Sequence, residues 1–202
     1  MSHKHLKDAR LYPLLQRVDQ DLANRTRSAG CRRKSCGGRL DVANYPRKPR
    51  GVDEFVNLCI DFSWRYSFCC AREGCRRRST PPSVRFLGPK VYLGVVVMLI
   101  TALRQGPTPP GAKKLKQELG VDRRTLKRWQ QWWREDFPEE QCWKEARRRL
   151  FPSALSADDL PRALTELFDV ETSVRHLLRC LRYLSPATAR FETALHALLW
   201  PL

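Results

Sequence analysis

Four of the eight cysteines in this 202-residue chain fall into two matched pairs, Cys31-Arg-Arg-Lys-Ser-Cys36-Gly-Gly and Cys70-Ala-Arg-Glu-Gly-Cys75, each spaced C-x4-C. Two tight turns offering two thiolates apiece complete the soft tetrahedron that Zn2+ prefers. Gly37, Gly38 and Gly74 permit the backbone such turns require. When all four positions are protein ligands no place remains for a reactive water, so Zn2+ held by Cys31, Cys36, Cys70 and Cys75 is expected to be structural. Cys69 is an alternative to Cys70, but Cys70 repeats the x4 spacing and shares the alternation of Tyr66 and Phe68. Cys59, Cys142 and Cys180 stand apart and read as small buried apolar residues. The four histidines fit no ligand spacing.

A second set of residues points outward from a helix. Leu126, Trp129 and Trp133 recur at helical spacing and must face inward, which turns Arg124, Lys127, Arg128 and Gln131 to the other side, with Arg123 and Arg134 flanking. Before them Ala112, Leu115 and Leu119 lie on one face of a shorter helix, Gly120 makes a turn, Val121 plugs it and Asp122 caps the next helix. Helix, glycine turn and a helix with an apolar inner and basic outer face is the layout of a helix-turn-helix. Arg and Gln side chains reach guanine and adenine edges in a major groove. Lys116 stands where such motifs usually have a small residue.

Further cations surround the cysteines. Arg32, Arg33 and Lys34 lie within the first pair, Arg76, Arg77 and Arg78 follow the second, and Arg47, Lys48 and Arg50 occupy a turn between them. Arginines so placed can hold a phosphate backbone. Trp64, Tyr66 and Phe68 can stack on a base but read better as the core of the small module.

These residues imply the elements that carry them. Strands at Arg39–Tyr45 and Ser63–Cys70, joined by Pro46–Gly51, make a zinc ribbon over residues 25–85. An amphipathic helix marked by Leu11, Leu14, Leu15, Val18 and Leu22 precedes it, in residues 1–24. A helix from Lys90 to Gln105, apolar nearly all round, belongs in a core and opens the helix-turn-helix region of residues 86–137. Residues 138–202 hold a helix from Pro138 to Leu150 and three more apolar stripes: Leu160, Leu164, Leu167 and Phe168; Val174, Leu177, Leu178, Leu181 and Leu184; Phe191, Ala194, Leu195 and Leu198. The fold class is α+β, mostly α, ending in a small helical bundle.

Charge supports the same direction. Lys and Arg number 38 against 21 Asp and Glu, a formal charge of +17, which favours a polyanionic partner. Residues 23–90 and 111–150 carry nearly all of it, and 151–202 is close to neutral. The apolar run Val91–Leu103 is shorter than the roughly 20 residues a bilayer span needs. The first ten residues, MSHKHLKDAR, lack the apolar core of an export signal, so a cytoplasmic, nucleoid-associated chain that does not enter a membrane is expected. Neither a nucleophile elbow nor a phosphate loop is found. Asp41, Asp53 and Asp61 are scattered, so no catalysis is expected.

Arg65–Ser83, followed by the helix-turn-helix at Ala112–Trp133, resembles the amino-terminal region of bacterial insertion-sequence transposases, over about residues 25–135. The resemblance implies structural zinc at Cys31, Cys36, Cys70 and Cys75, and DNA reading by the helix that starts at Arg123. Strand transfer does not carry over, because no catalytic nuclease domain is seen. The expected function is sequence-specific, zinc-dependent binding of double-stranded DNA, as an accessory or truncated component of a mobile element that recognises its ends. A separate transposase or integrase, or self-association through the C-terminal helices, would supply the partner. The alternatives are a transcription regulator of the same architecture and an RNA-binding zinc-ribbon protein.

Overall fold

The computed structural model describes residues 5–47, 49–51, 60–87, 92–102, 108–150 and 156–188. Helix α1 (Leu11–Ser28) buries Leu11, Tyr12, Leu15, Leu22 and Ala23 along one face, and Asp19 falls on that same face. Leu14, counted from sequence among its apolar stripe, is instead 39% exposed.

Five short strands follow: β1 (Leu40–Val42), β2 (Tyr45–Pro46), β3 (Trp64–Arg65), β4 (Phe68–Cys70) and β5 (Arg78–Ser79). Strands β1, β4 and β5 form one antiparallel sheet in the order β1-β4-β5, with Leu40 opposite Cys70 and Val42 opposite Phe68. Strands β2 and β3 form a second, pairing Pro46 with Trp64.

The single strand expected over Ser63–Cys70 is thus two strands in two sheets, and the alternation reverses between them. Phe68 and Cys70 point inward as expected, but Trp64 is 39% exposed while Arg65 and Ser67 are buried. The cause lies at residues 66 and 67, which leave the ladder. Ser67 donates its backbone N–H to the Asn44 side chain and accepts from Ala43. The Arg65 guanidinium turns inward to the carbonyls of Pro81 and Thr188, at 2.5 and 3.4 Å.

The rest is helical: α2 (Gly94–Thr101), α3 (Pro109–Leu119), α4 (Arg123–Arg134), α5 (Gln141–Leu150), α6 (Arg162–Leu167) and α7 (Val174–Leu184). All eight residues of α2 are buried, as a helix apolar on every side must be. The helix expected from Lys90 starts later, at Gly94, because Tyr92 and Leu93 are instead bridged to Arg50 and Phe86, and the expected end at Gln105 lies outside the described residues.

One continuous core runs from Leu6 and α1 through α2 to α3, α4 and α7. A ladder of rings crosses it, Trp133 to Phe137 at 4.8 Å, Phe137 to Trp143 at 5.1 Å and Trp143 to Tyr183 at 6.5 Å. Within the C-terminal stripes Leu160, Leu164, Leu177, Leu181 and Leu184 are buried, whereas Leu167 is 44% exposed. The stripe Phe191–Leu198 lies outside the described residues. A second, smaller core of Ala23, Cys31, Leu40, Phe68 and Cys70 serves the cysteine module. Helix α1 contributes to both. Among the described residues no helix is long and apolar enough to cross a membrane.

Candidate functional site: a cysteine cluster and a basic helix face

The two C-x4-C segments fold into the same turn. Cys36 donates its backbone N–H to Arg33 and Cys75 to Arg72, at 2.9 and 3.1 Å; Cys31 donates to Gly38 and Cys70 to Arg77, at 2.8 and 2.9 Å. In each, the residue before the second cysteine and the one after it have positive φ: Ser35 (63°) and Gly37 (59°) in the first, Gly74 (75°) and Arg76 (44°) in the second.

These turns bring four sulfurs together. The Sγ atoms of Cys31 and Cys75 are 3.7 Å apart, as are those of Cys36 and Cys70, and all four lie within 4.8 Å of one another. Four thiolates at 2.3 Å from a central Zn2+ would be separated by about 3.8 Å, so the cluster has room for such an ion and can hold a metal. The fit is close at Gly38, where a Cβ would stand 2.8 Å from the Cys70 sulfur and 3.2 Å from the Arg72 Cβ. Cys69 stays out of the group, its sulfur 3.2 Å from the Arg76 carbonyl. Alternation within β4 sends Cys69 and Cys70 to opposite faces.

Without a cation the four thiols compete. The Arg77 backbone N–H draws the Cys75 thiol down to about 6. Burial pushes Cys31 up. At Cys70 the Arg72 amide works against burial and the neighbouring thiols, which prevail and push it up to about 12. One thiolate forms easily, and each further charge meets the first in a confined space. A dication at the centre would remove that repulsion.

Two arginines brace the turns reciprocally. Arg33 reaches from the first to the Gly74 carbonyl of the second, at 3.3 Å, and Arg72 reaches from the second to the Cys36 carbonyl of the first, at 3.2 Å. Arg33 was expected to contact DNA; Arg72 was not singled out, although it occupies the matching place in its own segment. Around this clasp Arg32, Lys34, Arg76, Arg77 and Arg78 are exposed. Arg78 lies over the Tyr45 ring at 5.7 Å.

The second set of residues also keeps its expected grouping. Helix α3 ends at Gly120, whose φ is 66°, and Asp122 caps α4 by accepting the Thr125 N–H at 2.6 Å. Leu126, Trp129 and Trp133 are buried, and Arg123, Arg124, Lys127, Arg128, Gln131 and Arg134 are all exposed. Arg128 donates to the Thr125 hydroxyl, Gln131 to Glu135 and Arg134 to the Gln130 carbonyl. Lys116 points to solvent, so it does not obstruct the turn.

Sequence reasoning did not find what holds α4. Tyr92 donates its hydroxyl to the Gly120 carbonyl at 2.6 Å and sets its ring edge-on to Trp129 at 4.9 Å. Nor did it find Asp19 and Arg85, which join α1 to the segment after the ribbon. Asp19 accepts from Ser83, Val84 and Arg85, and Arg85 donates on to the carbonyls of Phe62 and Trp64. The signal was available in outline, since Asp19 interrupts an otherwise apolar helix stripe. Of the three solitary cysteines, Cys180 is buried, Cys59 lies outside the described residues and the Cys142 side chain is not described.

Comparison with protein-family models, with curated proteins and with solved structures finds no match to this chain.

Proposed function

We propose that this chain is a zinc-bearing protein that binds double-stranded DNA sequence-specifically, with α4 as the reading helix and the cysteine module as a phosphate-holding neighbour. The observation that carries the proposal is the division of α4. Four residues are sunk in the core, while a continuous outer face of arginine, lysine and glutamine is presented from a capped turn. A helix so divided is rigid where it must be held and polar where base edges are read.

Cys31, Cys36, Cys70 and Cys75 would hold Zn2+, whose service is to close the module rather than to react. The exposed cations around the cysteines would then meet backbone phosphates. The resemblance to the amino-terminal region of insertion-sequence transposases makes the proposed setting the ends of a mobile element in the nucleoid, with a separate nuclease or a second copy of this chain completing the assembly.

The test is a salt titration of binding to duplex DNA, beside duplex RNA of the same sequence, on protein of measured zinc content. Binding that prefers DNA and falls by about 0.9 in log affinity per phosphate contact for each tenfold rise in salt is expected. Alanine at Arg124 or Arg128 should cost roughly 1–3 kcal/mol on a selected duplex and much less on random DNA. Equal or better binding to RNA, with both alanine variants neutral, would transfer the activity to the cysteine module.

A further inference from the structure

Helix α7 repeats the electrical layout of α4. Leu177, Cys180, Leu181 and Leu184 are buried, and Arg175, Arg179 and Arg182 stand one turn apart on the other side, all exposed. No Asp or Glu occurs from Ser173 to Thr188. Among the described residues none of the three guanidiniums is ion-paired. The near-neutral sum of residues 151–202 therefore hides a cationic face, its acids lying on other elements.

Helix stability accounts for Arg182, in the last turn at the negative end of α7, but not for the other two arginines. Arg175 sits in the first turn of α7, which has no acidic residue, and the positive end of a helix favours anions. Like charges at i, i+4 and i+7 repel one another as well. A face that carries both costs is complementary to negative charge supplied from outside.

We propose that the outer face of α7 is a second nucleic-acid contact, gripping the phosphate backbone through Arg175, Arg179 and Arg182 without reading sequence. Guanidinium matches phosphate with paired N–H donors, as lysine cannot. Helical rise spaces the three stems about 6 and 4.5 Å apart along the axis, so each can address its own phosphate. The face carries no Asn or Gln, the side chains that pair with adenine edges. This inference rests on the reading that the chain binds nucleic acid.

The test uses the full chain with R175Q/R179Q/R182Q and, as a charge-keeping control, R175K/R179K/R182K. Each is titrated with salt on the duplex that the unaltered protein selects and on a random duplex. The glutamine variant should lose about 2.7 from the slope of log affinity on log salt, and about 100-fold in affinity at 0.15 M salt, equally on both duplexes. The lysine variant should keep most of the slope. Unchanged slope and affinity in the glutamine variant would overturn the proposal and leave α4 as reader, whereas no salt-dependent duplex binding by the unaltered protein would overturn both. A loss confined to the selected duplex would make α7 a sequence reader, contrary to the proposal. Loss of polyglutamate binding with duplex binding intact would assign the face to an acidic protein instead.

Discussion

Asp19 and Arg85 form an ion pair at 2.8 Å with neither side chain exposed to solvent. Both members of the pair make further hydrogen bonds. The carboxylate accepts from the Ser83 hydroxyl and the Val84 N–H as well, and the guanidinium donates to the carbonyls of Asp61, Phe62 and Trp64 while lying 5.1–5.2 Å from the rings of Phe62, Tyr66 and Phe86. The pair clamps α1 to residues 83–85 and, through the guanidinium, to the chain at Phe62 and Trp64. Removing one partner leaves the other charge buried without compensation, at a cost of about 3–5 kcal/mol.

Asp19→Asn is accordingly expected to lower the denaturation midpoint sharply, read by urea unfolding followed by circular dichroism. Arg85→Lys should fail to restore stability, because an ammonium cannot reach the carbonyls of Phe62 and Trp64 and the Asp19 carboxylate together. A lysine variant as stable as the original would show that charge alone, not the fork, matters here.

Gly38 and Gly37 should respond differently to alanine, although they are adjacent. At Gly38 the new Cβ would press on the Cys70 sulfur, so Gly38→Ala should lose most of its bound metal. At Gly37 the space is open and only the φ of 59° is unfavourable, so Gly37→Ala should keep the metal while losing roughly 1 kcal/mol of stability. Metal content by plasma spectrometry, with Co2+ absorption as a report on thiolate geometry, separates the two.

Metal affinity should climb steeply with pH. A thiol whose pKa is raised carries its proton at neutral pH, and the metal must displace it. Cys31 is pushed up by burial, and Cys70 to about 12 by burial and its thiol neighbours, whereas Cys75, drawn down to about 6, is largely ionised already. With at least two protons released, affinity should change by about 100-fold or more per pH unit between pH 6 and 8. Competition against a chelator at several pH values measures this, and a flat profile would mean that the thiols are ionised before the metal arrives.

Tyr92→Phe should weaken reading without touching phosphate contacts. The variant keeps the ring against Trp129 but loses the hydrogen bond to Gly120, worth about 1 kcal/mol. The turn before α4 then has more freedom. Affinity for a selected duplex is expected to fall several-fold while the salt slope stays the same; a lowered slope would show that the turn positions cations rather than readers.

The cysteine set and α4 were legible because their signals are local. Spacing alone paired Cys31 with Cys36 and Cys70 with Cys75, and a helical period alone placed Leu126, Trp129 and Trp133 opposite Arg124 and Arg128. What was not legible depends on partners distant in sequence. Trp64, Tyr66 and Phe68 alternate as if in one strand, yet Arg65 turns inward because carbonyls at Pro81 and Thr188 await it. Asp19 stands out only as a break in the apolar stripe of α1, and its partners Ser83, Val84 and Arg85 are more than sixty residues away. Even the neutrality of the C-terminal quarter was a sum over surfaces that folding separates.

The matched turns of the cysteine module carry a consequence for how such modules are spelled. Both backbone paths need two left-handed residues at the same offsets, yet the first turn fills them with Ser35 and Gly37 and the second with Gly74 and Arg76. Each half has glycine where the other has a side chain. The shape is therefore written twice in different letters, and neither turn contains the whole of its own instruction. A module of this kind is better sought by the offsets of its cysteines and the handedness between them than by any fixed string of residues. A turn with glycine at both offsets should be interchangeable between the two halves.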